Sequence, residues 1–141
     1  MDVQNIMTTT LTTVTPGQVV GDLFQLFKEV SYHHVPVVED NKLVGIVSDR
    51  DISRNLSRFF IPNGKGENRV KDKDLWARPV DEIMSTALIT IEKDTSIDFA
   101  SILLLENNIS CLLVVDGELM LEGLLTWKDI LQYHVYSGDA D

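Results

Sequence analysis

Apolar residues recur along this chain at two alternating periods, helical and then strand-like. Val20, Leu23, Phe24 and Phe27 fall at i, i+3, i+4 and i+7, the single stripe of an amphipathic helix. Just ahead, Thr15-Pro16-Gly17-Gln18 offers an N-cap, a proline at the first helical position and a glutamine at N3. Ile97, Ala100, Leu103 and Leu104 predict a second helix, with Asp94 or Thr95 as its cap. A short run rich in Thr, Val and Ile precedes each helix, Leu11 to Val14 and Leu88 to Ile91, and predicts a strand. After each helix comes a wholly apolar strand, Val35-Pro36-Val37-Val38 or Leu112-Leu113-Val114-Val115. A polar turn, Glu39 to Lys42 or Asp116 to Glu118, leads into a partner strand through Leu43 to Val47 or Leu121 to Leu125. A closing helix starts at Ser48 or Thr126. Gly21 lies inside the first helix, where glycine costs about 1 kcal/mol against alanine, and it predicts close packing at that point.

The elements therefore read β-α-β-β-α, twice, and the residues repeat as well. Ile6 to Val38 aligns without gaps on Ile83 to Val115, with nine of 33 positions identical. One extra residue in the second hairpin then shifts the register. Gly45-Ile46-Val47-Ser48-Asp49-Arg50-Asp51 matches Gly123-Leu124-Leu125-Thr126-Trp127-Lys128-Asp129. In each copy a hydroxyl sits at a helix N-cap and an aspartate at N3. Taken alone, that spacing is a capping box that satisfies orphan backbone N–H groups. The fold class is α+β, with repeat 1 over 1–58, a connector over 59–78, repeat 2 over 79–136 and a tail over 137–141. Each small sheet needs the other repeat to cover its apolar face, because so short a module cannot bury a sufficient core alone. Phe59 to Gly66 reads as a loop, Val70 to Trp76 as a short charged helix, and Leu75 and Trp76 as buried.

Charge and composition narrow the function. A net charge of −10 argues against a nucleic-acid surface, which requires clustered Lys and Arg. Residues 50–78 nevertheless hold eight of the twelve basic residues and only four acids, about +4 against about −14 elsewhere. That segment is either a solvated linker or a face for a phosphate-bearing ligand. No apolar run is long enough for a membrane span, and Met1 to Asn5 lacks the start of a signal peptide. With one cysteine, Cys111, no internal disulfide forms, which fits a reducing cytoplasm.

Taken in order, Ile6-Met7-Thr8, His34-Val35-Pro36-Val37-Val38 and Gly45 to Asp51 resemble a CBS (cystathionine β-synthase) domain. Ile83-Met84-Ser85, Leu113-Val114-Val115-Asp116 and Gly123 to Asp129 resemble a second. The set is similar to a stand-alone bacterial CBS pair, a pseudo-twofold Bateman module. That resemblance implies a regulatory module binding an adenosine nucleotide in clefts between the repeats: AMP foremost, with ADP, ATP or S-adenosylmethionine as alternatives. It implies one cleft from Thr126, Asp129, Thr8 and Tyr32, His33 and His34. The other combines Ser48, Asp51, Ser85 and Ile109 to Cys111. Asp51 and Asp129 would accept the ribose hydroxyls, and Ser48 and Thr126 would face phosphate at helix N-termini. Arg50 and Lys128 would add a cation, or else point to solvent. Backbone around Tyr32–His34 or Ile109–Cys111 would read adenine.

Leu113 departs from the family's proline, and the second hairpin carries its extra residue. The cleft using Thr126, Asp129 and Tyr32–His34 is accordingly the better site. Trp127 is either a lid beside a base or an exposed dimer contact. Cys111 reads as a core residue, and no spacing among His33, His34 and His134 suggests metal ligation or catalysis. The alternative function is a non-catalytic dimerisation or protein-interaction module with empty clefts. Ile130, Leu131, Tyr133, Val135 and Tyr136 would be its exposed homodimer face. Without an output domain, any signal would pass to another protein or to assembly state.

Overall fold

The fold is that of a computed structural model in which residues 1–29, 34–58, 60–62, 68–70 and 76–136 are described. Tyr32, His33, most of the expected charged helix with Leu75, and the tail fall outside these residues. In chain order the elements are a 3-10 turn (Val3–Asn5), α1 (Val20–Glu29), β1 (His34–Glu39), β2 (Lys42–Ser48) and α2 (Asp49–Arg58). There follow β3 (Phe60–Pro62), β4 (Asn68–Val70), a second 3-10 turn (Val80–Glu82) and β5 (Thr90–Ile91). The chain then forms α3 (Ile97–Asn107), β6 (Cys111–Val115), β7 (Leu121–Thr126) and α4 (Trp127–Tyr136). The β-α-β-β-α order is present twice, although the first strand is short in both copies. In repeat 1 it shrinks to a single parallel bridge, Val14 beside Val37. In repeat 2 it is β5, parallel to β6 with Thr90 opposite Leu113.

The chain divides into two compact units that do not coincide with the sequence repeats. One comprises Met1–Leu11, Asn41–Leu43 and Leu88–Asp141, the other Thr12–Asp40 and Val44–Ala87. In each unit the leading segment of one repeat packs on the body of the other. Val3 and Val80, both fully buried, anchor those leads. Val3 N–H donates to the Thr95 carbonyl at 2.9 Å in its unit, and Val80 N–H to the Gln18 carbonyl at 2.7 Å in the other. Each unit has its own apolar core. Val14, Val20, Leu23, Val35, Val37, Val47, Ile52 and Val80 fill one, with Trp76 half-buried against it. Ile91, Ile97, Ala100, Leu104, Leu112, Val114, Leu125 and Ile130 fill the other. The predicted stripes face these cores, except that Phe24 is partly exposed and leans on Trp76, ring centroids 4.9 Å apart.

Three boundaries differ from the sequence reading. Thr15 N–H does donate to Gln18 Oε1 at 2.8 Å, but the helix begins only at Val20. Val20 N–H is drawn off to the Arg78 carbonyl at 2.8 Å, in an extended crossing of Val19 with Pro79 that delays the helix. The cap of α3 is likewise Ser96, whose hydroxyl accepts from Phe99 N–H, not Asp94 or Thr95. The segment read as a loop contains β3, paired antiparallel with β4 so that Phe60 meets Val70 and Pro62 meets Asn68. Its β-prone Phe and Ile outweighed the punctuation by Pro and Gly.

Gly21 keeps its expected role, since a Cβ there would lie 3.3 Å from the Trp76 carbonyl oxygen. The first hairpin turns on Asp40 and Asn41, both in the left-handed region at φ 53° and 66°. Two such residues match the right-handed twist of the flanking strands. The second hairpin absorbs its extra residue by a bulge at Val114/Val115 and by placing Leu119 at φ 65°. Asp116 Oδ1 holds that loop, accepting from Glu118 N–H at 2.8 Å and Met120 N–H at 3.0 Å.

Candidate functional site

In both units the repeated glycine-to-aspartate motif is the end of a strand, a hydroxyl cap and the first turn of a helix. Both capping boxes form. Ser48 N–H donates to Asp51 Oδ2 at 2.8 Å, and Asp51 N–H returns to Ser48 Oγ at 3.1 Å. Thr126 N–H donates to Asp129 Oδ2 at 2.9 Å, and Asp129 N–H to Thr126 Oγ1 at 3.3 Å. The structural role of the motif is therefore present in full. A carboxylate has two oxygens, however, and the box engages only Oδ2 of each aspartate.

The second oxygen differs between the units. Thr8 pairs with Leu124 through both backbone groups, 2.9 Å each way, two residues before Thr126. That pairing carries the Thr8 hydroxyl to Asp129, where it donates to Oδ1 at 3.3 Å. In the other unit Ser85 pairs with Ile46 in the same manner, at 2.8 and 3.0 Å, two residues before Ser48. There Oδ1 of the largely buried Asp51 faces Arg54 Nη1 at 3.8 Å. Within its unit each hydroxyl-aspartate pair thus lies beside the lead of the opposite repeat: Thr8 by Thr126 and Asp129, Ser85 by Ser48 and Asp51.

The glycines make this approach possible, a relation sequence reasoning missed. A Cβ on Gly123 would come 2.6 Å from Met7 Sδ, and one on Gly45 would come 2.5 Å from Met84 Sδ. Only a residue without a side chain lets the methionine before Thr8 or Ser85 lie flat on the strand. The signal was in the sequence as Ile-Met at the head of both repeats. Nothing in it tied that methionine to the motif glycine.

The remaining expected residues are distributed as follows. Lys128 and Arg50 are exposed on the first turns of their helices. His34 opens β1, half-buried. Ile109 and Cys111 flank the start of β6, and burial pushes the Cys111 thiol up to about 11. Tyr32 and His33 lie outside the described residues. Two expectations are corrected. Trp127 is not an exposed contact: it is half-buried against the core of its own unit, its indole N–H donating to the Ile109 carbonyl at 3.2 Å. Ile130 and Tyr133, both expected on an exposed face, turn inward: three and six residues past Trp127 on α4, Ile130 is 3% exposed and Tyr133 is half-buried against the same core. Among the described residues, no cluster of three His, Cys, Asp or Glu side chains is arranged to hold a metal ion. Nor is any helix there long and apolar enough to cross a membrane.

Comparison with known proteins gives the family. A family model of the CBS domain matches twice, over residues 3–58 and 80–136. The CBS domain-containing protein YhcV of Bacillus subtilis is 32% identical over 114 residues, 81% of this chain and 72% of that one. The crystal structure of CBSX2 in complex with AMP superposes with a TM-score of 0.76 at 27% identity, covering 95% of this chain and 96% of that one. The CBS domain pair of protein MJ0100, in complex with 5′-methylthioadenosine and S-adenosyl-L-methionine, shares the fold at a TM-score of 0.78 and 24% identity, covering 97% and 98%. The chain spans only 46% and 35% of the length of two uncharacterised Methanocaldococcus jannaschii relatives. With the family model covering nearly all of both repeats, the chain belongs to the CBS-domain family and carries two CBS domains.

Proposed function

We propose that this chain is a non-catalytic regulatory module that binds an adenosine nucleotide, AMP foremost, with the ribose hydroxyls on Asp129. One observation carries the reading. Asp129 is fixed by the Thr126 backbone through Oδ2, while among the described residues Oδ1 accepts from the rotatable hydroxyl of Thr8 at 3.3 Å. A ribose hydroxyl is the same donor at the same acceptor, and turning the Thr8 hydroxyl away costs little. The Thr126 hydroxyl and the first N–H groups of α4 would meet the phosphate, where the helix dipole favours negative charge. Binding of AMP by the similarly built CBSX2 supports the choice of nucleotide.

Thermal unfolding with AMP, ADP, ATP and S-adenosylmethionine tests this. A nucleotide at a hundred times its Kd stabilises the folded chain by about 2.7 kcal/mol, a rise of several degrees in Tm. No rise with any of the four at millimolar concentration removes the reading.

A second copy of the chain is the proposed partner. The supporting observation is the outward side of α3 and α4, where Phe99, Ile102, Leu105, Leu131, Val135 and Tyr136 are all exposed. Exposed apolar patches of this kind mark interaction surfaces. A twofold contact between two copies would cover these residues. Should the nucleotide reading fail, this face supports the alternative, a dimerisation module.

A further inference from the structure

The turns of the two hairpins are tied to each other. Leu43 N–H donates to the Leu119 carbonyl at 2.9 Å, and Leu121 N–H donates to the Asn41 carbonyl at 3.2 Å. Lys42 thereby pairs antiparallel with Met120. All of these residues belong to one compact unit, so the tip of the repeat 1 hairpin is held there by the hairpin of repeat 2. The pairing joins equivalent positions. Asn41 and Leu119 each lie four residues before a motif glycine, and both are left-handed, at φ 66° and 65°. Each offers its carbonyl to the opposite turn from that conformation.

Asparagine tolerates the left-handed region, because its short polar side chain can bond the local backbone. Leucine is bulky, lacks that bond and is strained there. Burial offsets little of the strain, since Leu119 is 51% exposed. The pairing is therefore closed by its hydrogen bonds and by Leu43, 5% exposed, and opposed by the backbone of Leu119. β2 and β7 set out from this pairing and end at Ser48 and Thr126, six residues beyond Lys42 and Met120. We propose that the paired turns are a latch, which opens locally and frees Asn41–Leu43 from the unit while the cores stay folded, and that strain at Leu119 sets how often it opens. The latch is independent of which ligand the chain binds.

Native-state amide hydrogen exchange, followed residue by residue by NMR, tests it on wild type, Leu119→Asn and Leu119→Val. The reference is Leu124, whose N–H donates to the Thr8 carbonyl in the same unit. In wild type the Leu43 and Leu121 amides are expected to exchange faster than that of Leu124, with little dependence on denaturant. Asparagine relieves the strain and should slow both amides by about tenfold. Valine is β-branched and poorer still in the left-handed region, so it should speed them. Exchange of Leu43 and Leu121 in wild type at the rate and denaturant slope of Leu124 overturns the proposal. So does an asparagine variant in which the two amides exchange as in wild type, whatever its global stability. Should the valine variant fail to fold, the wild-type and asparagine measurements still decide.

Discussion

Asp51 and Asp129 occupy the same position in their motifs and close the same kind of helix cap, yet their outer oxygens meet different partners. Asp51 Oδ1 faces a guanidinium, and Asp129 Oδ1 a hydroxyl. Asp129 is therefore the one poised to exchange one hydroxyl for another. Asp129→Asn keeps an acceptor for the cap and loses the charge, so AMP binding should weaken by about 1.5–3 kcal/mol, the scale of charge-assisted hydrogen bonds. Calorimetry measures this, with unfolding midpoints as a check that the cap persists. Cys111 gives a separate, pH-dependent expectation. Its thiol rises from 9.0 to about 11 because burial disfavours the thiolate. The raised value favours the protonated folded form, so stability is intact below pH 9 and falls between about 9 and 11 as the unfolded thiol ionises first. Denaturation across that range should show the slope in wild type, and Cys111→Ala should remove that part of it. At this scale the sequence was legible where spacing alone fixes chemistry, as with Thr126 and Asp129. It was opaque for Trp127, because an aromatic on a first helical turn can face several ways until the strand end beside it is known.

The glycine of each motif and the methionine of the opposite lead form one packing device. Gly123→Ala would drive a methyl group into Met7, 2.6 Å from Sδ, and should destabilise the chain by about 1–3 kcal/mol. Pairing it with Met7→Ala should return less than the sum of the two single costs, because the shortened side chain leaves room for the methyl. Urea unfolding of the four proteins reads the coupling, and strictly additive costs would contradict the contact. Elements with one strong periodicity were the readable ones: both apolar stripes and the two hairpins follow from residue spacing. Helix starts were displaced because their backbone groups bond to segments distant in sequence, as Val20 N–H does with Arg78. No local signal carries that information. The first strands were read at full length, whereas pairing at Val14 is a single bridge.

Across the whole molecule, duplication is plain in the sequence but the compact units are not, since Met1–Leu11 packs with Leu88–Asp141. The exchange depends on Val3, Met7 and Thr8 finding partners in the far repeat, which composition and periodicity do not encode. The exposed residues of α3 and α4 predict a dimer in sedimentation experiments. Leu105→Glu with Leu131→Glu should shift it to monomer without unfolding it, both side chains being more than half exposed. Because each copy carries a net charge of −10, association should strengthen as salt screens the repulsion. The central claim, a ribose held by Asp129, is tested most directly by titrating AMP and 2′-deoxy-AMP into wild type and Asp129→Asn. The account predicts that removing the 2′-hydroxyl weakens binding to wild type by at least about tenfold, roughly 1.4 kcal/mol, and has little further effect on the variant. Equal affinity of wild type for the two nucleotides would contradict it.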